Sequence, residues 1–245
     1  MENNYNTIVT SFICNGNSRK DRTCDKYIEL GKHLLMAKIP KIIFMDEQIY
    51  DIFSDYLNEY NFFVKINQTD LYLNEFTDKI TNFNINTTFK DKDTLNYLYI
   101  MCNKTEFIKR AILLNVFNTP NYIWVDFGIK HIFNCDSSEF IKKIENLNNK
   151  IYDNVRIASI WDLNKRYNYD IYKDINWYFA GGVFGGNKDK LIEFADKTKE
   201  MCLQVIKEKK TLMWEVNIWY LVYLKNPELF FAYPADHNAT IIVNY

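Results

Sequence analysis

The sequence predicts an α/β fold: a Rossmann-like mixed central sheet flanked by helices. Three stretches carry that expectation. The first is an apolar run at Thr7–Ile13, a helical pattern over 24–36 and a second apolar run at Lys41–Met45. Strand, helix and strand joined by short connections argue a parallel βαβ unit. The second is Tyr122-Ile123-Trp124-Val125-Asp126-Phe127-Gly128, a buried-strand pattern that ends in a carboxylate and then a glycine. The third is Trp177–Asn187, where four of the chain's seven glycines fall within six residues, followed by a long helical pattern.

The chain has 245 residues, of which 48% are hydrophobic and 17% aromatic. That suits one domain with a sizeable core. We therefore expect a single domain over 1–245. The net charge is −1, so no global basic field invites nucleic acid or a membrane surface. No apolar window is long enough for a spanning helix. The amino terminus is polar and acidic, unlike a secretory signal. Cysteines stand at 14, 24, 102, 135 and 202, with no C-x-x-C pair. Isolated cysteines of this kind are expected as free, mostly buried thiols in a reducing compartment, hence a cytoplasmic protein.

The elements follow in order. A turn at Asn15–Ser18, trailed by Arg19, Lys20 and Arg22, closes the first strand. After Asp46, residues 49–60 read as a helix and 62–66 as a third strand. The polar stretch 67–94 reads as helical turns and loop. Residues 95–118 carry one helix or two in tandem, with Lys104 among the charged positions. Pro120 stops them ahead of the strand that reaches Asp126. Residues 140–148 form a short amphipathic helix and 155–160 a strand, and 161–176 is irregular. Residues 188–208 form a long helix. The apolar stretch 213–224 holds one acid, Glu215, and Phe230–Tyr233 is a last strand before Asp236-His237.

Several of these positions have the chemistry of a site. Asp126 either begins a turn or carries a carboxylate to the edge of the sheet, where open α/β sheets bind ligands. Gly181-Gly182 and Gly185-Gly186 read either as a pair of tight turns or as a backbone floor beneath a sugar. They match no Walker or dinucleotide fingerprint. Glu215 on an apolar helix is either ion-paired or aimed into a pocket. His237 beside Asp236 is either a satisfied loop residue or a transition-metal ligand.

Taken together and in order, Thr7–Phe12, Lys104, Tyr122–Gly128, Phe179–Gly186, Trp214–Asn217 and Ala235–His237 resemble the HtrL/YibB/WlaTC family. That family is grouped with the GT-A glycosyltransferases, and the motif order is similar to glycogenin-type transferases. The resemblance implies a GT-A fold, with a nucleotide-binding half at about 1–130 and an acceptor-binding half at about 131–245, and transfer of a sugar from a nucleotide-sugar donor, a UDP-sugar favoured, to a glycan or other acceptor. It implies nucleotide binding by Thr10, Ser11, Phe12, Arg19, Lys104 and Asp126. It implies sugar or acceptor binding by Gly181, Gly182, Trp214 and Glu215, and catalytic roles for Glu215 and Asp126. It further implies a divalent ion, Mn²⁺ or Mg²⁺, on Asp126 and His237. One departure stands out: the Asp-x-Asp of such enzymes is here Asp126-Phe127-Gly128, without the second carboxylate. A catalytically silent GT-A-like protein that binds a glycan or a partner is the alternative. A sugar-phosphate nucleotidyltransferase would want a longer Gly- and basic-rich loop after the first strand than Asn15–Lys20 provides.

Overall fold

The computed structural model describes residues 5–14 and 23–245. Seven strands form one sheet in the order β3-β2-β1-β4-β6-β5-β7. They are β1 Asn6–Phe12, β2 Lys41–Asp46, β3 Asn61–Ile66, β4 Asn121–Val125, β5 Val155–Ser159, β6 Phe179–Asn187 and β7 Phe230–Pro234. β3, β2, β1 and β4 are parallel neighbours, β6 runs antiparallel to both β4 and β5, and β7 pairs with β5 in parallel. The expected α/β class, a Rossmann-like mixed sheet flanked by helices, is the one observed.

Helix α1, Cys24–Leu35, makes the crossover from β1 to β2 and is capped by Thr23. Asp46 ends β2, and its side chain caps the 3₁₀ helix Glu47–Tyr56 that stands where an α-helix was expected. The stretch expected as one or two helices is two: α2, Leu95–Cys102, and α3, Lys104–Leu114, hinged at Asn103. Helix α4 is Ser137–Glu145, α5 is Lys188–Lys209, α6 is Glu215–Lys225 and α7 is Thr240–Val243.

Strand side chains alternate between the two faces, as the pleat requires. Val9, Ile42, Phe44, Tyr122 and Trp124 join one core with α2, α3, α5 and α6 residues. Ile8, Ile123 and Val125 join another with Leu34 of α1, Phe140 and Ile144 of α4 and Ile241 and Ile242 of α7. Both faces of β4 are therefore covered. That explains why Tyr122–Val125 reads as a continuous apolar run rather than an alternating one.

Of the two readings of the glycine-rich stretch, the pair of tight turns does not hold, because the stretch is an inner strand of the sheet. Gly186 there has φ +144°, a conformation open to glycine, and a Cβ at that position would collide with the Asn154 carbonyl. The cysteines are not all free: Cys14 and Cys24 are bonded across the β1–α1 connection, with Cα atoms 5.7 Å apart. The end of β1 and the start of α1 therefore meet. Cys102 and Cys202 are buried free thiols, and Cys135 is a partly buried one. No described helix is long and apolar enough to cross a membrane.

Candidate active site

A cleft of about 870 Å³ opens at the carboxyl ends of β1 and β4. β6 runs the other way, so its first residues arrive at the same edge. The amino termini of α3 and α6 complete the wall, because Lys104 and Glu215 are the first residues of those helices.

Asp126 follows directly on β4. Its backbone N–H donates to Gly182 O at 2.9 Å, which extends the β4–β6 ladder by one rung. Its carboxylate accepts from Trp124 Nε1 at 2.7 Å on Oδ1. The Lys104 ammonium stands 3.0 Å from Oδ1 and 3.3 Å from Oδ2. The same ammonium donates to Gly181 O at 3.0 Å and to Glu215 Oε1 at 3.1 Å. One lysine thus joins the end of β4, the start of β6 and the start of α6. An ammonium has three N–H donors, and Lys104 spends all of them inside the protein.

The side chain of Lys104 is 2% exposed and that of Glu215 8% exposed, whereas that of Asp126 is 36% exposed. Burial by itself would depress the Lys104 pKa. The Asp126 and Glu215 carboxylates outweigh that, and the pKa ends above the ordinary lysine value. Lys104 is therefore a permanent cation. Glu215 also lies at a helix amino terminus, where the macrodipole favours a carboxylate.

Gly181 is required by this cluster. A Cβ there would lie well inside contact distance of Glu215 Oε1 and 3.4 Å from Lys104 Nζ. Gly182 has more room, since a Cβ would meet Ile129 Cδ1 at 3.0 Å and Asp126 Oδ2 at 3.8 Å. At Gly128, where the second carboxylate of Asp-x-Asp was missed, a Cβ would stand 2.6 Å from the Tyr27 ring. Tyr27 occupies the space a longer side chain at 128 would need.

Of the residues singled out in the sequence, Ser11, Phe12, Lys104, Asp126, Gly181, Gly182, Trp214, Glu215 and His237 all line this one cleft. Thr10 does not; it is wholly buried, and its hydroxyl has no partner among the described residues. Arg19 lies outside the described residues. His237 is exposed in the chain after β7 and meets Trp177 edge-on, with ring centroids 4.2 Å apart. Burial lowers its pKa against the opposing pull of Asp236.

Sequence reading missed the wall contributed by residues 86–97. Asn86, Thr87, Phe89, Lys92, Asp93 and Tyr97 all line the cleft. They fall in or beside a polar stretch without periodicity, and an adjacent Lys-Asp there looks like any solvated loop.

Residues 4–238 match the model of a family described as "Bacterial protein of unknown function (HtrL_YibB)". The chain belongs to the HtrL_YibB family. No curated protein matches it. Among solved structures, the chain is similar to mouse xyloside xylosyltransferase 1 in its apo form, at 10% identity and TM-score 0.47, over 94% of this chain and 84% of that one. It is similar to 4-diphosphocytidyl-2C-methyl-D-erythritol synthase from Anaerococcus prevotii, at 9% identity and TM-score 0.44, over 94% and 86%. It is also similar to Rv0371c from Mycobacterium tuberculosis, at 6% identity and TM-score 0.39, over 96% and 91%. Likenesses this remote say nothing of activity.

Proposed function

We propose that this HtrL_YibB protein is a glycosyltransferase that takes a sugar from a nucleotide-sugar donor, a UDP-sugar favoured, and passes it to a glycan acceptor. The observation that carries the reading is the Lys104 cluster. A permanently charged, fully bonded lysine fixes two carboxylates from different elements at the carboxyl edge of the sheet, beside a cleft of about 870 Å³. Carboxyl edges of α/β sheets are where ligands bind. The family resemblance points the same way.

In this proposal the base lies near Ser11 and Phe12, and the sugar lies against Gly181-Gly182 and Trp214. Lys104 holds the Glu215 carboxylate in place through its N–H, so that the carboxylate orients a sugar or acceptor hydroxyl. Asp126 keeps an exposed carboxylate edge toward the ligand.

The divalent ion belongs to the proposal on its donor chemistry. Among the described residues no three His, Cys, Asp or Glu side chains converge to hold an ion. Asp126 and His237 line the cleft together. A carboxylate plus substrate phosphates is the usual magnesium-type site, and an added imidazole suits Mn²⁺, so these residues fit an ion shared with a diphosphate rather than a protein-only cage. When bound, such an ion would neutralise charge on the leaving diphosphate.

Asp126→Asn keeps the shape and removes the charge. Hydrolysis or transfer across a panel of nucleotide sugars, with Mn²⁺ and with EDTA, should fall by roughly a hundredfold or more in this variant if the charge contributes several kcal/mol to the transition state. Full activity of Asp126→Asn would remove it from the mechanism. Gly128 against Tyr27 gives the silent alternative its own support, because the second carboxylate has no room. Nucleotide binding without turnover for any donor would favour that alternative.

A further inference from the structure

The cleft holds a second lysine, and it is bonded differently from the first. Lys92 sits in a turn closed by its own N–H and that of Asp93 on Phe89 O, at 3.0 and 2.9 Å. Thr94 follows at once as the cap of α2. The Asp93 side chain is 3% exposed, and its Oδ1 lies 2.9 Å from Lys92 Nζ. The other Asp93 oxygen accepts from the Thr87 hydroxyl. A buried carboxylate is costly without a counter-charge, so Asp93 fixes the seat of Lys92.

The remaining neighbours of the Lys92 ammonium are aromatic. It stands 4.4 Å from the Tyr97 ring centroid and 5.5 Å from that of Trp214, and its contact with the Tyr97 hydroxyl is long, at 3.4 Å. Ring faces attract a cation but accept no full hydrogen bond. Of its three N–H groups, one faces the Asp93 carboxylate across the ion pair, one makes a long contact and one has no acceptor among the described residues. The side chain is 15% exposed and lines the cleft. Lys104, by contrast, has no donor left, and the two carboxylates beside it repel an anion.

We propose that Lys92 is an anion-binding residue of the cleft, holding a phosphate or carboxylate oxygen of the substrate with its unspent N–H. On the glycosyltransferase reading above, on which this ligand assignment rests, the anion is the donor diphosphate. A carboxylate on an acidic sugar has the same chemistry.

Calorimetric titration with inorganic pyrophosphate, UDP and glucuronate separates these sources. Lys92→Met should weaken pyrophosphate and UDP binding about tenfold or more, the scale of a hydrogen bond to a charged group. Lys92→Arg should restore most of it, which a merely structural role for the residue would not require. Lys92→Met leaves Asp93 unpaired, so Lys92→Met/Asp93→Asn is the companion that keeps the fold free of a lone buried charge. Weakening of glucuronate alone would identify the carboxylate source. Pyrophosphate binding that depends on Lys92, with UDP no tighter than pyrophosphate, would leave the anion site standing and remove the nucleotide. Unchanged affinity for all three ligands in the folded double variant would overturn the proposal, as would a wild-type protein that binds none of them at millimolar concentration.

Discussion

The two ends of the central sheet each bury a lysine, and the contrast shows what a charge partner does. Lys104, at the carboxyl edge, touches two carboxylates, and Lys41, at the amino end of β2, touches none. Both are almost completely buried, at 2% and 0% exposure. Lys41 donates to the carbonyls of Ala37 and Ile39, and its nearest acid, Glu145, acts only at longer range. Burial therefore wins there, and the Lys41 pKa is pushed down to about 7. At Lys104 the carboxylates win, and the pKa rises. The same depth of burial produces a titratable amine at one end and a fixed cation at the other. The second of these lysines, Lys104, lines the cleft described above.

The largest expected effect comes from breaking the cation at the site end. Lys104→Met leaves Glu215 buried without its partner. Removing one member of a buried pair costs about 3–5 kcal/mol, toward the lower end here because Asp126 is partly solvated. Urea unfolding should show that loss, and Lys104→Met/Glu215→Gln should recover part of it. A single variant as stable as wild type would mean that the cluster is not holding the elements together.

A smaller effect separates the two adjacent glycines. A methyl at 181 would press on Glu215 Oε1, and overpacking of that kind costs about 1–3 kcal/mol. A methyl at 182 would meet the end of the Ile129 side chain, which can move. Gly181→Ala should therefore lower the thermal midpoint clearly more than Gly182→Ala. Equal losses would place the cause in the strand backbone and not in the charge cluster.

These two glycines also mark how far the sequence could be read. The sheet was legible because Thr7–Ile13, Lys41–Met45 and Tyr122–Val125 are apolar runs between turn signals, and burial on both faces leaves that trace. Glu215 and Asp126 were legible as acids in apolar surroundings. The role of Gly181 was not: glycine signals that something comes close without saying whether it is a ligand or the protein's own carboxylate. The Cys14–Cys24 bond was missed because two cysteines ten residues apart carry no motif. Lys92 and Asp93 were missed because a buried ion pair in a loop has no periodicity to betray it.

The most gradual effect is a pH dependence from the other end of the sheet. Lys41 has a folded pKa of about 7, well below its unfolded value. Between the two, the unfolded chain holds the extra proton, so stability rises with pH, by up to about 1.4 kcal/mol per unit. The rise should be visible from pH 7 to about 9, before the buried tyrosines reverse it: burial holds Tyr97 and Tyr245 well above the ordinary tyrosine value, so they stay protonated in the fold and ionise near pH 10 once unfolded. Lys41→Met should flatten the rise. An unchanged slope in that variant would mean that the two carbonyls keep Lys41 charged after all.

The most direct test of the central claim is a crystal structure of the protein with a UDP-sugar and Mn²⁺. The account predicts the nucleotide in the cleft at the carboxyl edge of the sheet, with the base beside Ser11 and Phe12, the diphosphate within reach of Lys92 and the exposed edge of Asp126, and the sugar against Gly181-Gly182. A nucleotide bound elsewhere on the molecule, or an empty cleft at saturating ligand, would contradict it.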